Sequence, residues 1–257
     1  MVVIESKNNS LFKDLKKLKE KKYRMQTASY LIEGLRFVDE AFKSDVEIKY
    51  LIFTDEFREK HSEFLEGKEK INQIILSNNL LKELSFTGTP QGVMAVVSMK
   101  NRNLGDGDIV ILADKVQDPG NMGTIIRTAH AVGAAGIITT KGTVDIYNDK
   151  TLRSTMGSIF YLPIIEDSNF ENILSLKERG FKLVVSSLQG ENNFFEEDLR
   201  GNIIIAVGNE GNGISDEVYE ISDVKVKIPM PGNAESLNVA VATSVMLYEK
   251  IRQNLIK

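Results

Sequence analysis

The chain has 257 residues, of which 42% are hydrophobic and 26% charged, as is typical of a globular protein with one large or two smaller cores. It contains no cysteine and two histidines, which excludes disulfides, thiolate zinc sites and a cysteine nucleophile, and argues against a histidine-rich metal centre. No stretch is long and apolar enough to span a membrane and the first residues lack the features of a signal peptide, so we expect a cytoplasmic protein.

A local excess of basic residues marks the start of the chain. Residues 1–25 contain eight Lys/Arg and three acids, whereas the whole chain carries a formal net charge of −4. A nucleic acid would therefore have to be bound by such a patch and not by the surface as a whole. Charge runs are also typical of solvated amphipathic helices, and this run alone favours a helix with Leu11, Leu15 and Leu18 turned inward.

The remaining elements predict two α/β domains joined by a linker. Within residues 1–98, helices are predicted from about Leu35 and near Phe57–Leu65, and the strand candidates are SYLIEG, KYLIFT, NQIILS and GVMAVVSM. Residues 99–108 are polar and glycine-containing, which indicates a linker. Residues 109–257 contain stronger apolar runs, namely IVILAD, GIITT, FKLVVSS, NIIIAVG and VKVKIP. Short, continuous, β-branched runs are typical of a parallel sheet that helices cover on both faces.

Three glycine-containing loops follow strands of the second domain. QDPGNMGT follows the first strand, GNEGNGIS follows NIIIAV, and MPGNAESLN follows VKVKIP. Because ligands of open α/β sheets bind at the carboxyl ends of the strands, we expect the three loops to form one pocket. None of them is a dinucleotide fingerprint or a P-loop, and the carboxylate of Glu210 lies where a pyrophosphate would have to approach. The ligand must therefore tolerate Glu210.

At these loops the sequence closely resembles the SpoU branch of the SPOUT methyltransferases. The resemblance rests on NMGTIIRTAHAVGA, IIIAVGNEGNGIS and VKIPMPGNAESLNVAVATSVMLYE, and it covers essentially all of residues 105–257. It implies an S-adenosylmethionine-dependent enzyme that methylates a ribose 2′-hydroxyl of RNA, and it favours ribosomal RNA over transfer RNA as the substrate. It also implies a parallel sheet with a deep trefoil knot, a homodimer built through this domain, and no metal. YLIEGLRFVDEAF and TPQGVMAVV resemble the L30e-like substrate-binding domain of the same family.

The resemblance also implies roles for individual residues. Backbone groups at Gly208, Ile228 and Leu237 would bind the cofactor, whose sulfonium cation is compatible with a nearby carboxylate. The residues implied in the reaction are Asn121, Arg127, Glu210, Ser236 and Asn238. A free guanidinium is a poor base, so we assign phosphate binding and electrostatic help to the arginine and leave the general base open. The two asparagines and the serine carry short polar groups that suit a loop or ribose contact.

Each of these residues also has a purely structural interpretation. Asn121 could cap the first-motif helix, Ser236 and Asn238 could be capping groups, and Glu210 could be a plain loop carboxylate. Arg127 could be a surface residue of an amphipathic helix, followed by a partly buried structural histidine at position 130. Three further functions stay open: transfer RNA methylation, a catalytically silent RNA-binding protein, and a nicotinamide enzyme, which the missing glycine fingerprint disfavours.

Overall fold

The computed structural model describes residues 1–187, 190, 192–232 and 234–256. Internal contacts divide the chain into two compact units, one of Met1–Lys100 with Tyr147–Arg153 and one of Asn101–Ile146 with Ser154–Lys257. The division after residue 100 falls inside the segment predicted as a linker, while the segment 147–153 groups with the first unit. The domain limits 1–98 and 109–257 remain a prediction.

The first unit contains a five-stranded sheet of order β1-β4-β3-β5-β2. Its strands are β1 (Val2–Ile4), β2 (Ser29–Glu33), β3 (Ile48–Phe53), β4 (Gln73–Leu76) and β5 (Val93–Ser98). Strand β4 pairs in parallel with β1 and β3, whereas β5 is antiparallel to both β3 and β2. Strands β1 to β4 therefore end at the edge of the sheet where β5 begins.

Six helices belong to residues 1–100. They are α1 (Ser10–Lys17), α2 (Lys21–Thr27), α3 (Leu35–Lys43), α4 (Asp55–Lys60), α5 (Ser62–Leu65) and α6 (Asn78–Leu84). In the basic segment Leu15 and Leu18 are buried as predicted, Leu11 is half-buried, and Phe12 is buried beside them. The helix predicted near 57–65 is interrupted at His61, whose backbone leaves the helical region with φ −130° and ψ 40°.

The second unit contains a seven-stranded sheet of order β10-β12-β9-β11-β6-β7-β8. Its strands are β6 (Ile109–Ala113), β7 (Gly136–Thr139), β8 (Ile164–Glu166), β9 (Lys182–Ser186), β10 (Asn192–Asn193), β11 (Ile203–Val207) and β12 (Val224–Lys227). Every pairing among them is parallel. The five predicted strands are present, and β8 and β10 are additional because a short or polar strand carries little hydrophobic signal.

Helices cover both faces of this parallel sheet. They are α7 (Pro119–Ala131), α9 (Glu171–Glu178), α10 (Asp216–Glu220) and α11 (Val239–Leu255). A further helix, α8 (Asp149–Thr155), begins in the segment that groups with the first unit and ends in the second. Side chains alternate along β6, so that Ile109 and Ile111 pack in the core that includes α7 and α11, and Val110 and Leu112 pack in the opposite one. The predicted α/β class with a parallel sheet is confirmed.

The predicted trefoil knot concerns how the last segment is threaded through a loop. Strand order and pairing do not determine threading, so the knot remains a prediction. Among the described residues, no helix has the length and apolar character needed to cross a membrane.

Candidate active site

Three loops of the second unit begin at one edge of its sheet. Strands β6 and β11 are neighbours, and β9 lies between β11 and β12. Because all of these strands are parallel, the segments that follow β6, β11 and β12 leave the sheet at the same edge. The three loops predicted from the sequence to form a pocket are therefore placed side by side.

The first of these loops is shaped by the start of helix α7. The N-cap is Asp118, whose carboxylate accepts a hydrogen bond from the backbone N–H of Asn121 at 2.8 Å, and Pro119 follows at the first helical position. Asn121 therefore lies inside the first turn and does not cap the helix, so the capping interpretation of this residue is wrong. Its side chain is free to bond to the other two loops.

Glu210, in the second loop, binds the first loop. Its carboxylate accepts hydrogen bonds from Nδ2 of Asn121 at 3.0 Å, from the N–H of Gln117 at 3.3 Å and from the N–H of Asp118 at 3.2 Å. Partial burial acts to raise the pKa of Glu210, but these hydrogen bonds outweigh it and lower the pKa below its ordinary value. Glu210 is therefore an ionised hydrogen-bond acceptor near neutral pH and a weak candidate for a general base.

Asn238, in the third loop, joins the same set of hydrogen bonds. Its Nδ2 donates to Oδ1 of Asn121 at 2.9 Å, and its Oδ1 accepts from the N–H groups of Ala240 at 3.0 Å and Val241 at 3.3 Å. It is the N-cap of α11, as the sequence indicated. The capping and the contact to α7 use different atoms of one amide, so the two interpretations of this residue are compatible.

Gly208 allows the second loop to fold tightly on itself. Asn209 and Gly213 exchange two backbone hydrogen bonds, of 2.8 and 2.9 Å, which close a narrow hairpin. A Cβ atom at position 208 would lie 2.2 Å from the carbonyl carbon of Gly213 and 2.4 Å from the nitrogen of Ile214. The hairpin is also held to the first loop, because Nδ2 of Asn209 donates to the carbonyl of Lys115 at 3.0 Å.

Asp114 anchors the base of the site and was not among the predicted residues. It is fully buried directly after β6, and its carboxylate accepts hydrogen bonds from Oγ1 of Thr140 and from the N–H of Ser215, both at 2.7 Å. It thus connects the start of the first loop to the end of the second. A charged residue that follows a buried strand without a break is the sequence signal that could have identified it.

Arg127 and Ser236 are not brought into this set of hydrogen bonds. Both side chains are exposed, and neither side chain makes a hydrogen bond or ion pair with any residue that the structure describes. Arg127 lies six residues after Asn121 on α7, which places it about 120° around the helix and about 1.7 turns further along. The structure therefore brings together Asn121, Glu210 and Asn238, and presents Arg127 to solvent on another side of the helix.

The neighbours of Arg127 settle two further expectations. Ile125, Ile126 and Ala129 are fully buried, as an amphipathic helix requires. His130 was expected to be partly buried and is instead exposed, although its ring stacks on Tyr161 with centroids 5.0 Å apart and an interplanar angle of 7°. The earlier expectation is wrong because position 130 lies on the solvent side of the last turn of α7.

Of the residues predicted to bind the cofactor, Gly208 follows β11, Ile228 follows β12, and Leu237 lies shortly before α11. Ile228 is buried and Leu237 half-buried, and both pack on the core beneath α11. The backbone groups of residues 229–232 and 234–237 form no hydrogen bond with one another or with other described residues. Apolar side chains beside open backbone donors and acceptors, with one carboxylate nearby, fit a bent sulfonium cofactor and not a polyphosphate.

The described residues hold no cluster of His, Asp and Glu that could bind a metal ion. The chemistry available at this edge is therefore that of amides, one carboxylate, open backbone groups and the exposed guanidinium of Arg127. Such groups orient ligands and stabilise charge, which is what a group transfer between two bound substrates requires.

Comparison with known proteins identifies the family of the chain. Residues 108–248 match the SpoU rRNA Methylase family, and residues 9–95 match the MRM3-like substrate binding domain. The 23S rRNA (guanosine(2553)-2′-O)-methyltransferase RlmP of Bacillus subtilis is 39% identical over 96% of this chain and 98% of its own length. A 23S rRNA (uridine(2479)-2′-O)-methyltransferase of Streptomyces viridochromogenes is 31% identical over 90% of this chain and 85% of its own length.

Solved structures agree with these sequence matches. The AdoMet-bound rRNA methyltransferase from Sinorhizobium meliloti superposes with a TM-score of 0.87 at 31% identity, covering 100% of this chain and 99% of the other. The SpoU methyltransferase AviRb from Streptomyces viridochromogenes, in complex with AdoMet, gives a TM-score of 0.88 at 30% identity, covering 97% and 99%.

The chain belongs to the SpoU rRNA methylase family, in the form that carries a second, smaller substrate-binding domain. Members of this family are S-adenosylmethionine-dependent RNA 2′-O-methyltransferases. The predictions of family, fold class, enzyme class and cofactor are thereby confirmed. The nicotinamide enzyme is not supported.

Proposed function

We propose that this protein transfers the methyl group of S-adenosylmethionine to the ribose 2′-hydroxyl of a guanosine in 23S ribosomal RNA. The observation that carries the proposal is the hydrogen-bonded set Glu210–Asn121–Asn238, which joins all three loops at the sheet edge. A guanosine target is favoured by the 39% identical relative, which matches this chain over nearly its full length. A ribosomal RNA target also agrees with the predicted action in the cytoplasm.

Backbone groups at Gly208, Ile228 and Leu237 hold the cofactor in this proposal. When bound, S-adenosylmethionine supplies a methyl group on a positively charged sulfur. After the transfer this sulfur is part of a neutral thioether. The ionised carboxylate of Glu210 lies in the loop that begins at Gly208, where it favours a cation over an anion. Its main role is to hold the first and second loops at a fixed spacing.

Arg127 binds the RNA backbone in this proposal. Of the residues assigned to the site, it has the side chain best suited to bind a phosphate. Its exposed guanidinium presents a planar set of donors that matches a phosphate, and no described residue competes for it. Asn121 and Asn238 fix the loops around the ribose, while the exposed hydroxyl of Ser236 lies in the third loop beside the cofactor residue Leu237. The reaction must also remove the proton of the 2′-hydroxyl, for which these residues offer no strong base.

We further propose that the protein is a homodimer formed through α11 and α7. Asn121 contacts Asn238, and further along both helices Oγ1 of Thr128 lies 3.3 Å from Oγ of Ser244. The two helices therefore lie side by side and run in the same direction. On the outer side of α11, Val241 and Tyr248 are 48% and 55% exposed. Large apolar side chains two turns apart form a stripe that a second copy would cover.

The dimer proposal is tested by the size of the protein in solution. Tyr248→Asp places a charge in the stripe and should convert a dimer to a monomer in analytical ultracentrifugation. Leu174→Asp is the matched control, because this leucine is 46% exposed on α9, away from the stripe. A wild-type protein that sediments as a monomer would refute the proposal.

The function itself is tested by locating the methyl group. Purified protein is incubated with labelled S-adenosylmethionine and either 23S ribosomal RNA or total transfer RNA, and ribose methylation is mapped by reverse transcription. We expect one methylated guanosine in 23S ribosomal RNA. Methylation of transfer RNA alone would replace the proposal with the alternative substrate, and cofactor binding without any transfer would identify a silent RNA-binding protein.

A further inference from the structure

The first unit contains a cavity that lies outside the candidate active site. Its volume is about 410 Å³, within the range of pockets that bind small ligands. It is formed where β3 and β4 end and where the loop before β5 returns, through residues 54–61, 78–82 and 90–92. This is the edge at which β1 to β4 all finish, a usual position for a ligand in an α/β sheet.

One side of the cavity is aromatic. The ring of Phe57 is buried, and the imidazole of His61 lies against it with centroids 4.6 Å apart and an interplanar angle of 34°. The interruption between α4 and α5 occurs at His61, which brings its ring to the cavity. The half-buried imidazole, held against the buried phenyl ring, offers a π-face that stacks with any nucleobase, because every base has a π-face.

Two other lining residues supply hydrogen-bonding groups. Gln91 accepts a hydrogen bond from the N–H of Leu35 at 2.9 Å through Oε1, and its Nε2 has no partner among the described residues. Asn78 donates to Glu56 at 3.3 Å through Nδ2, and its Oδ1 is likewise without a partner there. A donor and an acceptor in fixed positions can recognise the polar edge of a base.

The charge around the cavity is positive. Glu56 is neutralised by Lys60, with Nζ and Oε1 2.6 Å apart, and this pair lowers the pKa of Glu56 and raises that of Lys60. Lys82 forms no ion pair with any described residue and stays available for an anion. A cationic group next to an aromatic surface suits a nucleotide, which combines a phosphate with a base.

The basic segment at residues 1–25 has fewer unpaired cations for binding RNA than its composition indicates. Lys16 pairs with Glu83 at 2.5 Å and Lys17 with Asp14 at 2.9 Å. The buried guanidinium of Arg24 donates to backbone carbonyls at the end of α1, so it serves the fold. The lysines that remain unpaired can attract a phosphate backbone, but they do not form a cavity.

We propose that this cavity binds a single unstacked nucleotide of the RNA substrate. The base stacks on the imidazole of His61, which Phe57 supports, its polar edge meets Gln91 and Asn78, and its phosphate lies near Lys82. The proposal rests on the proposed function, since it assigns part of the recognition of that RNA to the first unit. It explains how a ribose methyltransferase, whose chemistry does not need to read the base, selects a site by a nucleotide other than the methylated one.

The test compares variants in steady-state methylation of 23S ribosomal RNA by the full-length protein. Lys82→Ala removes the free cation, and Gln91→Glu keeps the acceptor for the N–H of Leu35 while replacing the free donor by a charged oxygen. Each should raise KM for the RNA by roughly tenfold or more, the scale expected for one lost stacking or phosphate contact, with kcat and cofactor affinity unchanged. Lys70→Ala is the control, because it removes an exposed lysine outside the cavity.

Photo-crosslinking gives a second, direct measurement. The wild-type protein is irradiated with 23S ribosomal RNA that contains 4-thiouridine, and the crosslinked peptides are identified by mass spectrometry. We expect crosslinks within residues 54–61, 78–82 or 90–92. Variants with the wild-type KM, together with crosslinks confined to other segments, would overturn the cavity proposal, whereas a wild-type protein that does not methylate this RNA would instead overturn the proposed function.

Discussion

Nδ2 of Asn121 lies 3.0 Å from Oε1 of Glu210, and this bond fixes the direction of a chain of hydrogen bonds across three loops. An ionised carboxylate only accepts, so the amide nitrogen of Asn121 must face Glu210. The amide oxygen must then face Asn238, which donates to it at 2.9 Å. One asparagine therefore bonds to both the loop after β11 and the loop after β12.

Replacing Asn121 by Asp should be more damaging than removing its side chain. The new carboxylate would face Glu210 at hydrogen-bond distance, and two like charges in one site repel strongly. We expect the methylation rate to fall by roughly tenfold or more for Asn121→Asp, and by less for Asn121→Ala. Thr124→Ala is the control, since this hydroxyl bonds only within α7. Equal rates for all three variants would show that the bond has no part in the reaction.

Arg127→Ala should separate catalysis from cofactor binding. Its exposed side chain forms no hydrogen bond with the predicted cofactor residues, so calorimetry with S-adenosylmethionine should give an affinity close to wild type. Turnover should fall by a factor on the order of 10². Arg127→Lys should restore little, because an ammonium lacks the planar fork that binds a phosphate. Arg179→Ala, at an exposed position next to α9, is the matched control. Loss of cofactor affinity with normal single-turnover rates would contradict this assignment.

Acidification should weaken the loop arrangement through Glu210. Its pKa in the folded protein is lower than the ordinary 4.5, so its contribution to stability is complete above that value and is lost as the pH falls through the folded pKa. We expect the melting temperature of Glu210→Gln to be lower than that of wild type at pH 7, and the gap to narrow as the pH falls below 4.5 and through the folded pKa of Glu210. Glu178→Gln, on the exposed surface of α9, should show no such gap. A constant difference at all pH values would exclude a titrating carboxylate as its cause.

Gly208→Ala should disrupt the second loop, whereas Gly211→Ala in the same loop should be tolerated. The added methyl group at 208 meets backbone atoms at 2.2 Å, and at 211 it meets only the side-chain oxygen of Asn209, at 3.5 Å. We expect Gly208→Ala to lower cofactor affinity by roughly tenfold or more and to destabilise the protein by about 1–3 kcal/mol. Calorimetry and thermal unfolding of the two variants provide the comparison, and equal cofactor affinity in both would contradict the role of Gly208.

The sequence by itself determined the architecture of the parallel sheet and the family. Apolar runs such as those at Ile109–Ala113 and Ile203–Val207 are local signals, and the free energy of burying them is large enough to place them in a sheet core whatever their distant partners. The motifs around Asn121, Glu210 and Asn238 were also readable, since each lies in the loop that follows one of these strands or at the helix that this loop enters.

Only the tertiary structure decided how those residues act together. The bonds of Asn121 to Glu210 and Asn238 join positions 89 and 117 residues apart, and their geometry depends on where the sheet places each loop. The burial of Asp114 and the exposure of Arg127 likewise follow from packing, which no local pattern encodes. The cavity beside His61 arises where two strands end and a third begins, so it became visible only when strands distant in the sequence met at one edge.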